Sequence, residues 1–149
     1  MSEVVASYVP PEHVHDVWPS IREYIANATH YTYGRYEPED VLDLLFFHNH
    51  QLWIAIQGEK IIGCIVTTVL EYPRKRVLSC PFVTGEDFKL WKNPMLELLR
   101  KWATDNKCDV LESTARLGWS RVFKDDGYLA MWQAFELPVD HTGLGAEDE

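Results

Sequence analysis

The fold of this 149-residue chain is decided by one stretch in its middle, LWIAIQGEKIIG at residues 52–63. Apolar residues stand on both sides of the pair Gly58-Glu59, which suits a tight turn between two strands. The second strand continues through an apolar run at residues 61–66 that has no polar face, so we expect it to lie in the centre of a sheet. The stretch therefore predicts a hairpin with strands over 51–57 and 60–70.

Two helices are predicted before the hairpin. A short strand over 4–9 ends at Pro10-Pro11, and apolar residues then recur at helical spacing over 12–28. Pro19 removes one backbone donor within this helix, so a kink or a restart is expected there. A second helix over 37–48 begins with acidic residues, which favour a helix N-terminus.

Strands and helices alternate after the hairpin. A strand over 76–84 contains Pro81, which cannot donate to a ladder and therefore predicts an edge, a bulge or a place where the sheet opens. Asn93-Pro94 is typical of an N-cap followed by Pro at the first helical position, so we expect a turn over 87–92 and a main helix over 94–106. The remaining predicted elements are a strand over 108–114, a short helix over 117–124 and a last strand over 127–137.

The predicted order is β-α-α-β-β-β-α-β-α-β. It indicates an α/β (α+β) domain with one mixed sheet and helices on both faces. The length suits one domain over 1–137, and the acidic stretch over 138–149 is expected to be disordered.

Composition narrows the classes of partner. The formal net charge is −9, whereas surfaces that bind nucleic acid or anionic membranes normally carry the opposite sign. Three Cys without a CxxC, no basic leader and no apolar run of bilayer length predict a cytoplasmic protein with inert thiols. The six His lack a completing Cys or acidic cluster, so no metal site is expected. We therefore expect neither nucleic acid nor membrane as a partner.

Two segments resemble the GCN5-related N-acetyltransferase (GNAT) family. Residues 52–63 are similar to the family's strand, polar turn and apolar pair followed by Gly, and residues 122–128 resemble its helix that ends in a Tyr…Gly-Phe segment. Residues 84–91, 98–103 and 116–119 resemble a set of bacteriophage and prophage GNAT-like proteins. The resemblance implies transfer of acetyl from acetyl-coenzyme A (acetyl-CoA) to an amine of a small molecule or a protein.

The resemblance also implies where the cofactor binds. In the family, acetyl-CoA lies where two neighbouring parallel strands part, and its pyrophosphate rests on the N–H groups that begin the following helix. In this chain the two strands are those over 76–84 and 108–114. The residues that the resemblance assigns to cofactor binding are Phe82, Val83, Thr84, Gly85, Lys89, Lys92 and Arg116.

The turn after the first of these strands departs from the family pattern. Gly85 is one glycine where the family has several small residues, and Phe88, Leu90 and Trp91 are bulky. Glu86 and Asp87 would repel a pyrophosphate by their charge.

The residues expected to transfer protons also differ from the family pattern. Phe123 stands where the family often has a Tyr that protonates the leaving thiolate. Tyr128 is either a substitute acid or a core residue, since it lies at the family's aromatic position after Gly. A base must take a proton from the amine near neutral pH. Glu112 is the first candidate for that base, and Glu71 is the second.

These departures leave alternatives open. A catalytically inactive GNAT-fold module that binds a phage or host protein, or a virion-associated component, fits the same pattern. Loop tyrosines at 31, 33 and 36 with Trp53 either line a substrate mouth or pack over the core. The basic turn over 74–76 is either a solvated hairpin tip or a contact for a phosphate or an acidic partner.

Overall fold

The computed structural model describes residues 3–114 and 126–139. The chain divides into two compact units, Met1–Arg116 and Leu117–Glu149. The first unit carries five strands and three α-helices, and a 3₁₀ turn at Pro11–His13 leads into the first helix. In chain order these elements are β1 (Val4–Val9), α1 (Val14–His30), α2 (Pro38–Phe47), β2 (His50–Gln57), β3 (Lys60–Tyr72), β4 (Lys75–Gly85), α3 (Phe88–Asp105) and β5 (Val110–Ser113).

One mixed sheet runs through the first unit, with its strands in the order β1-β2-β3-β4-β5. The first four strands are antiparallel neighbours, and β5 pairs with β4 in parallel. Gln57 pairs with Lys60 across the turn at Gly58, which has a φ of 64°. The predicted hairpin and the mixed sheet are therefore confirmed.

Helices cover both faces of this sheet. The face of α1 and α2 buries side chains such as Ile21, Ile25, Leu52, Val66 and Phe82. On the opposite face, α3 buries a second cluster that includes Trp53, Ile65, Leu78, Trp91, Met95 and Leu99. The two clusters follow from the period-2 alternation of the central strands, which sends successive side chains to opposite faces. This arrangement confirms the predicted fold class.

Neither internal proline interrupts its helix as the sequence suggested. Pro19 lies inside the continuous helix α1, and Pro94 lies inside α3, which begins at Phe88 rather than at Pro94. The restart that was one alternative at Pro19 and the expected separate turn over 87–92 were wrong, and the other alternative, a kink at Pro19, stays a prediction. In α3, the side chains at 91, 95, 99 and 103 form a buried stripe at helical spacing. Burial of each large apolar side chain stabilises by roughly 1.5–3 kcal/mol, so the stripe together offsets the proline's cost of about 3 kcal/mol.

The described residues of the second unit lack the strand that the sequence predicts there. Asp126 and Gly127 form a turn, and residues 128–139 have no helix or strand, so the expected last strand over 127–137 was wrong. A strand requires a partner for its hydrogen bonds, which an apolar pattern does not by itself provide. The predicted helix over 117–124 and most of the predicted acidic tail lie outside the described residues. A single domain over 1–137 stays a prediction.

The length and hydropathy of a helix decide whether it could cross a membrane. Among the helices that the structure describes, none combines the length and the apolar character that a bilayer crossing requires.

Candidate functional site

The pairing between strands β4 and β5 ends halfway along β4. They are paired from Val77 with Val110 to Cys80 with Ser113, where β5 ends. β4 continues to Gly85 and, within the part of the chain that the structure describes, pairs over these last residues with β3 alone. We call the space beside residues 81–85 of β4 the β4–β5 opening.

A bulge lies at the start of this opening. Thr68 pairs with Ser79 but Val66 pairs with Phe82, so two residues of β4, Cys80 and Pro81, stand against one residue of β3. Pro81 has no N–H to donate, and the bulge is one of the few places within a sheet that tolerates such a residue. The sequence prediction for Pro81 is therefore confirmed as a bulge where the sheet opens.

The pairing pattern indicates which backbone groups face the opening. The amide of Glu86 donates to the carbonyl of Ile62 at 2.7 Å, in continuation of the β3–β4 register. Hydrogen-bonded pairs alternate along antiparallel strands, so Thr84 and Phe82 bond to β3 and the residue between them does not. The N–H and C=O of Val83 thus point to the side of β4 from which β5 has departed.

The turn after β4 exposes the start of α3. Gly85, Glu86 and Asp87 are all exposed. Gly85 has a φ of 147°, and a Cβ there would lie 2.4 Å from the Cα of Gly63, so only glycine fits this approach. Asp87 is in the left-handed region at φ 49° and makes no side-chain cap to α3. The Asp87 carboxylate therefore caps none of the first-turn N–H groups, while the Leu90 N–H donates to the Asp87 carbonyl at 2.8 Å.

Two neighbouring side chains contact the Glu86 carboxylate and stabilise its negative charge. The Tyr24 hydroxyl donates to its carboxylate, and Lys60 Nζ lies 3.3 Å from it. These two contacts lower the pKa of Glu86. Burial and the bond to Glu86 together raise the pKa of Tyr24 to about 12. The charge of Glu86 is thus balanced by Lys60, and Asp87 is the carboxylate left beside the start of α3.

The bulky residues of the turn lie mainly in the core. Trp91 is fully buried, and its Nε1 donates to the carbonyl of Glu86 at 2.8 Å. Its ring lies over Gly63, where an added Cβ would be 2.5 Å from Trp91 Cζ2. Phe88 packs edge-on against Trp91 with ring centroids 4.8 Å apart. These two aromatic side chains belong to the α3 cluster.

The predicted cofactor residues divide into two groups. The side chains of Phe82 and Thr84 turn toward α1, where Thr84 Oγ1 donates to the carbonyl of Tyr24 at 2.8 Å. The backbone of Val83, the turn at Gly85 and the exposed side chain of Lys89 border the opening or the start of α3. Lys92 is partly buried on α3. Arg116 lies outside the described residues, and the cofactor roles of the whole set stay predictions.

The predicted catalytic residues lie in different units. Glu112 stands opposite Ser79 on β5, one position before the two strands part. Glu71, the second candidate base, forms an ion pair with Arg76. Tyr128 belongs to the second unit, just after the turn at Gly127, and its acid role stays a prediction.

The aromatic residues proposed for a substrate mouth lie in different parts of the first unit. Trp53 is fully buried on the α3 face, and its Nε1 donates to Thr67 Oγ1 at 2.9 Å, so the mouth interpretation was wrong for this residue. Tyr36 packs edge-on against Phe82 with centroids 5.4 Å apart. Tyr33 is 83% exposed, in the same loop between α1 and α2.

Sequence reasoning missed two residues of the site, Tyr24 and Lys60. Both reach Glu86 from positions distant in sequence, so no local pattern could have assigned them. The described part of the chain brings together no group of three potential metal ligands.

Comparisons with known proteins show which fold the chain has. No family model and no curated protein matches the chain. An aminoglycoside acetyltransferase from an uncultured soil metagenomic sample has a TM-score of 0.70 at 13% identity, covering 93% of this chain and 99% of its own. The ribosomal-protein-alanine N-acetyltransferase from Brucella melitensis biovar Abortus 2308 has a TM-score of 0.65 at 12% identity, covering 92% and 99%. An integron cassette protein from the mobile metagenome of V. cholerae has a TM-score of 0.65 at 16% identity, covering 97% and 96%. The chain therefore has the fold of the GNAT acetyltransferases.

Proposed function

We propose that this chain is an N-acetyltransferase that uses acetyl-CoA as its acetyl donor. The observation that carries the proposal is the opening beside Val83, where β4 continues past the last pair, Cys80 with Ser113, toward the exposed start of α3. An extended thioester chain needs backbone partners along such an edge, and a pyrophosphate needs free N–H groups at a helix start. Both features adjoin each other in this unit.

The residues present fit the cofactor in most respects. The backbone of Val83 would bond the pantetheine chain, the first turn of α3 would hold the pyrophosphate, and Lys89 would add a positive charge. Glu86 accepts a hydrogen bond from Tyr24 and pairs with Lys60, whose positive charge offsets its own. Among the described residues of the turn, Asp87 opposes binding through its charge, and the exposed Leu90 side chain is bulky where the family has small residues.

Side chains of the protein would carry out the two proton transfers of the reaction. The bound cofactor would supply an acetyl thioester, whose transfer to an amine forms a C–N bond, breaks the C–S bond and releases one proton. Glu112 is the group we assign to take that proton from the amine. Tyr128 is the group we assign to protonate the departing thiolate.

The acceptor is proposed as a cationic amine. A net charge of −9 attracts cations and repels anionic acceptors. The two acetyltransferases named above act on amines of different kinds, an aminoglycoside and a ribosomal protein, so the fold alone leaves open both a small molecule and a protein.

A second candidate is a module of this fold that binds a phage or host protein without catalysis. Its specific support is the turn itself, which has one glycine and a carboxylate at Asp87 where a pyrophosphate would lie. Such a module would bind no acetyl-CoA.

A calorimetric titration separates the two functions. Acetyl-CoA is titrated into the full-length protein, and thiol release is then followed with a set of primary amines. The transferase proposal expects saturable binding and amine-dependent thiol release. Absence of binding at millimolar acetyl-CoA would reject it and leave the binding module.

A thermal measurement supports the same test. A ligand at about 100 times its dissociation constant stabilises a protein by about 2.7 kcal/mol, so unfolding should shift upward. Substitution of Gly85 by a bulky residue is unsuitable as a control, because a side chain there would collide with Gly63 and disturb the fold itself.

A further inference from the structure

Four polar residues stand side by side across four strands of the sheet. His50 pairs with Thr68, Thr68 with Ser79, and Ser79 with Glu112. Residues directly opposite each other in neighbouring strands share one face, so all four belong to a single row. We call this set the polar row.

The row lies on the face of α1 and α2. Leu78 belongs to the α3 cluster, so its neighbour Ser79 faces the other way. Leu111 likewise packs with the α3 cluster, which puts Glu112 on the same face as Ser79. Glu112 is the end of the row that lies nearest to the β4–β5 opening.

Ser79 has no hydrogen-bonding partner among the described residues that would explain a polar side chain there. It is only 8% exposed, and its hydroxyl forms no hydrogen bond within the part of the chain that the structure describes. A buried hydroxyl without a partner destabilises a protein, whereas Ala or Val would fit the sheet without that cost. Glu112 is partly exposed and likewise forms no bond among the described residues. An external ligand would satisfy both.

The row presents hydrogen-bond acceptors along most of its length. His50 Nδ1 lies 2.8 Å from the carbonyl oxygen of His48, which can only accept, so Nδ1 carries the hydrogen and Nε2 of the neutral ring is an acceptor. Burial lowers the pKa of His50, which keeps that ring neutral. Thr68 Oγ1 donates to the carbonyl of Asn49 at 3.2 Å, so its oxygen is left to accept. The carboxylate of Glu112 accepts only.

We infer that the polar row is the binding site for the acceptor, and that it selects an extended amine with several N–H donors and no carboxylate. The inference deepens the proposed function and rests on it for the transfer step. Neighbouring strands lie about 4.8 Å apart, so the three intervals from Glu112 to His50 span about 14 Å. A linear polyamine matches that length and donor pattern, with its reacting nitrogen at Glu112 beside the opening. An acceptor with its own carboxylate would be repelled by Glu112.

Direct binding tests the row without any cofactor. The full-length protein is titrated by NMR with spermidine and, in parallel, with an n-alkylamine of the same chain length that has a single nitrogen. We expect spermidine to bind more tightly and to shift the amide signals of Thr68, Ser79 and Glu112. Equal affinity for the two amines, or shifts confined to other residues, would overturn the inference.

Variants sharpen the test. Ser79→Ala and Thr68→Val should each weaken spermidine binding by roughly two- to tenfold, the loss expected for one hydrogen bond, and leave the alkylamine unchanged. Ser7→Ala, which alters a hydroxyl at the opposite edge of the sheet, is the matched control and should change neither affinity. Equal weakening of both amines by Ser79→Ala would show a structural effect and reject the row.

The outcome for the row is separable from the outcome for the transferase. Spermidine bound at the row by a protein that does not bind acetyl-CoA would sustain the site and reject the transfer reaction. Acetyl-CoA binding without a preference for spermidine would sustain the proposed function and reject the row.

Discussion

Cys80 and Ser113 are the last opposed residues of β4 and β5, and the sheet divides immediately beyond them. The Cys80 thiol is buried, and burial raises its pKa to about 12, so it stays protonated near neutral pH, whereas Ser113 is partly exposed. Pro81 follows directly and has no N–H with which to continue the pairing.

The charge of Asp87 should weaken the binding of acetyl-CoA. Asp87→Asn removes this charge, keeps a residue that tolerates the left-handed conformation, and breaks no side-chain cap. A charge near an exposed helix end is worth typically 0.3–1 kcal/mol, so the dissociation constant should fall by roughly two- to fivefold. Calorimetric titration of both proteins with acetyl-CoA measures the change.

The matched control for this variant is Glu97→Gln, an identical change of charge on an exposed position farther along α3. Equal effects from the two variants would mean that only overall charge matters, and that the pyrophosphate does not lie at the start of the helix.

Glycine at position 63 should be required for stability, because the Trp91 ring leaves no room for a side chain there. Gly63→Ala would put a methyl group 2.5 Å from the buried indole ring and should destabilise by about 2 kcal/mol. In a Trp91→Leu background the same change should cost less, so the double-mutant cycle should show coupling. Urea unfolding of the four proteins gives the free energies. Additive effects would contradict the close contact.

Gly34→Ala separates crowding from backbone strain in that experiment. Gly34 has a φ of 80° but nothing within 4 Å of an added Cβ, so only backbone strain of about 1 kcal/mol is expected.

The contact between Tyr24 and Glu86 should make the free energy of unfolding vary with pH in the acidic range. The pKa of Glu86 is lowered in the folded protein, so its contribution is present above the ordinary carboxyl pKa and is lost as pH falls through the lowered value. Tyr24→Phe removes the hydroxyl donor and should raise the pKa of Glu86, measured by carbon NMR titration of the carboxyl group.

The difference in stability between wild type and Tyr24→Phe should be largest near neutral pH and shrink on acidification. Tyr33→Phe removes a hydroxyl from a side chain that is 83% exposed and is the matched control. A difference that stays constant across the acidic range would exclude Glu86 as the partner.

Thr67 should stabilise the core through its hydroxyl rather than its size. Its Oγ1 accepts from Trp53 Nε1 at 2.9 Å and donates to Gln51 Oε1 at 2.9 Å. Thr67→Val leaves the indole N–H buried without a partner and should cost about 1–3 kcal/mol. Thr67→Ser keeps the hydroxyl and should retain most of that stability. Thermal unfolding compares the two, and equal losses would show that the methyl group matters instead.

Sequence reasoning reached the elements that depend on local signals. The turn at Gly58 and the apolar strands around it were predicted because period and turn chemistry coincide there. Pro81 pointed to the opening because a missing donor restricts where a residue can lie in a sheet.

The parts that were missed depend on tertiary contacts. The local preference of Pro94 favours a helix start at that residue, but α3 begins at Phe88 because burial of Trp91 extends the helix toward the N-terminus. Tyr24 reaches Glu86 across the fold, and the polar row exists only through the register of four strands. No window of sequence contains either arrangement.

Hydrogen exchange at Val83 tests the opening most directly. The amide of Val83 should exchange faster than that of Thr84, which bonds to β3, and saturating acetyl-CoA should slow Val83 selectively. If Val83 is as protected as Thr84 in the free protein, or if acetyl-CoA leaves its exchange unchanged, the cofactor does not bind between β4 and β5.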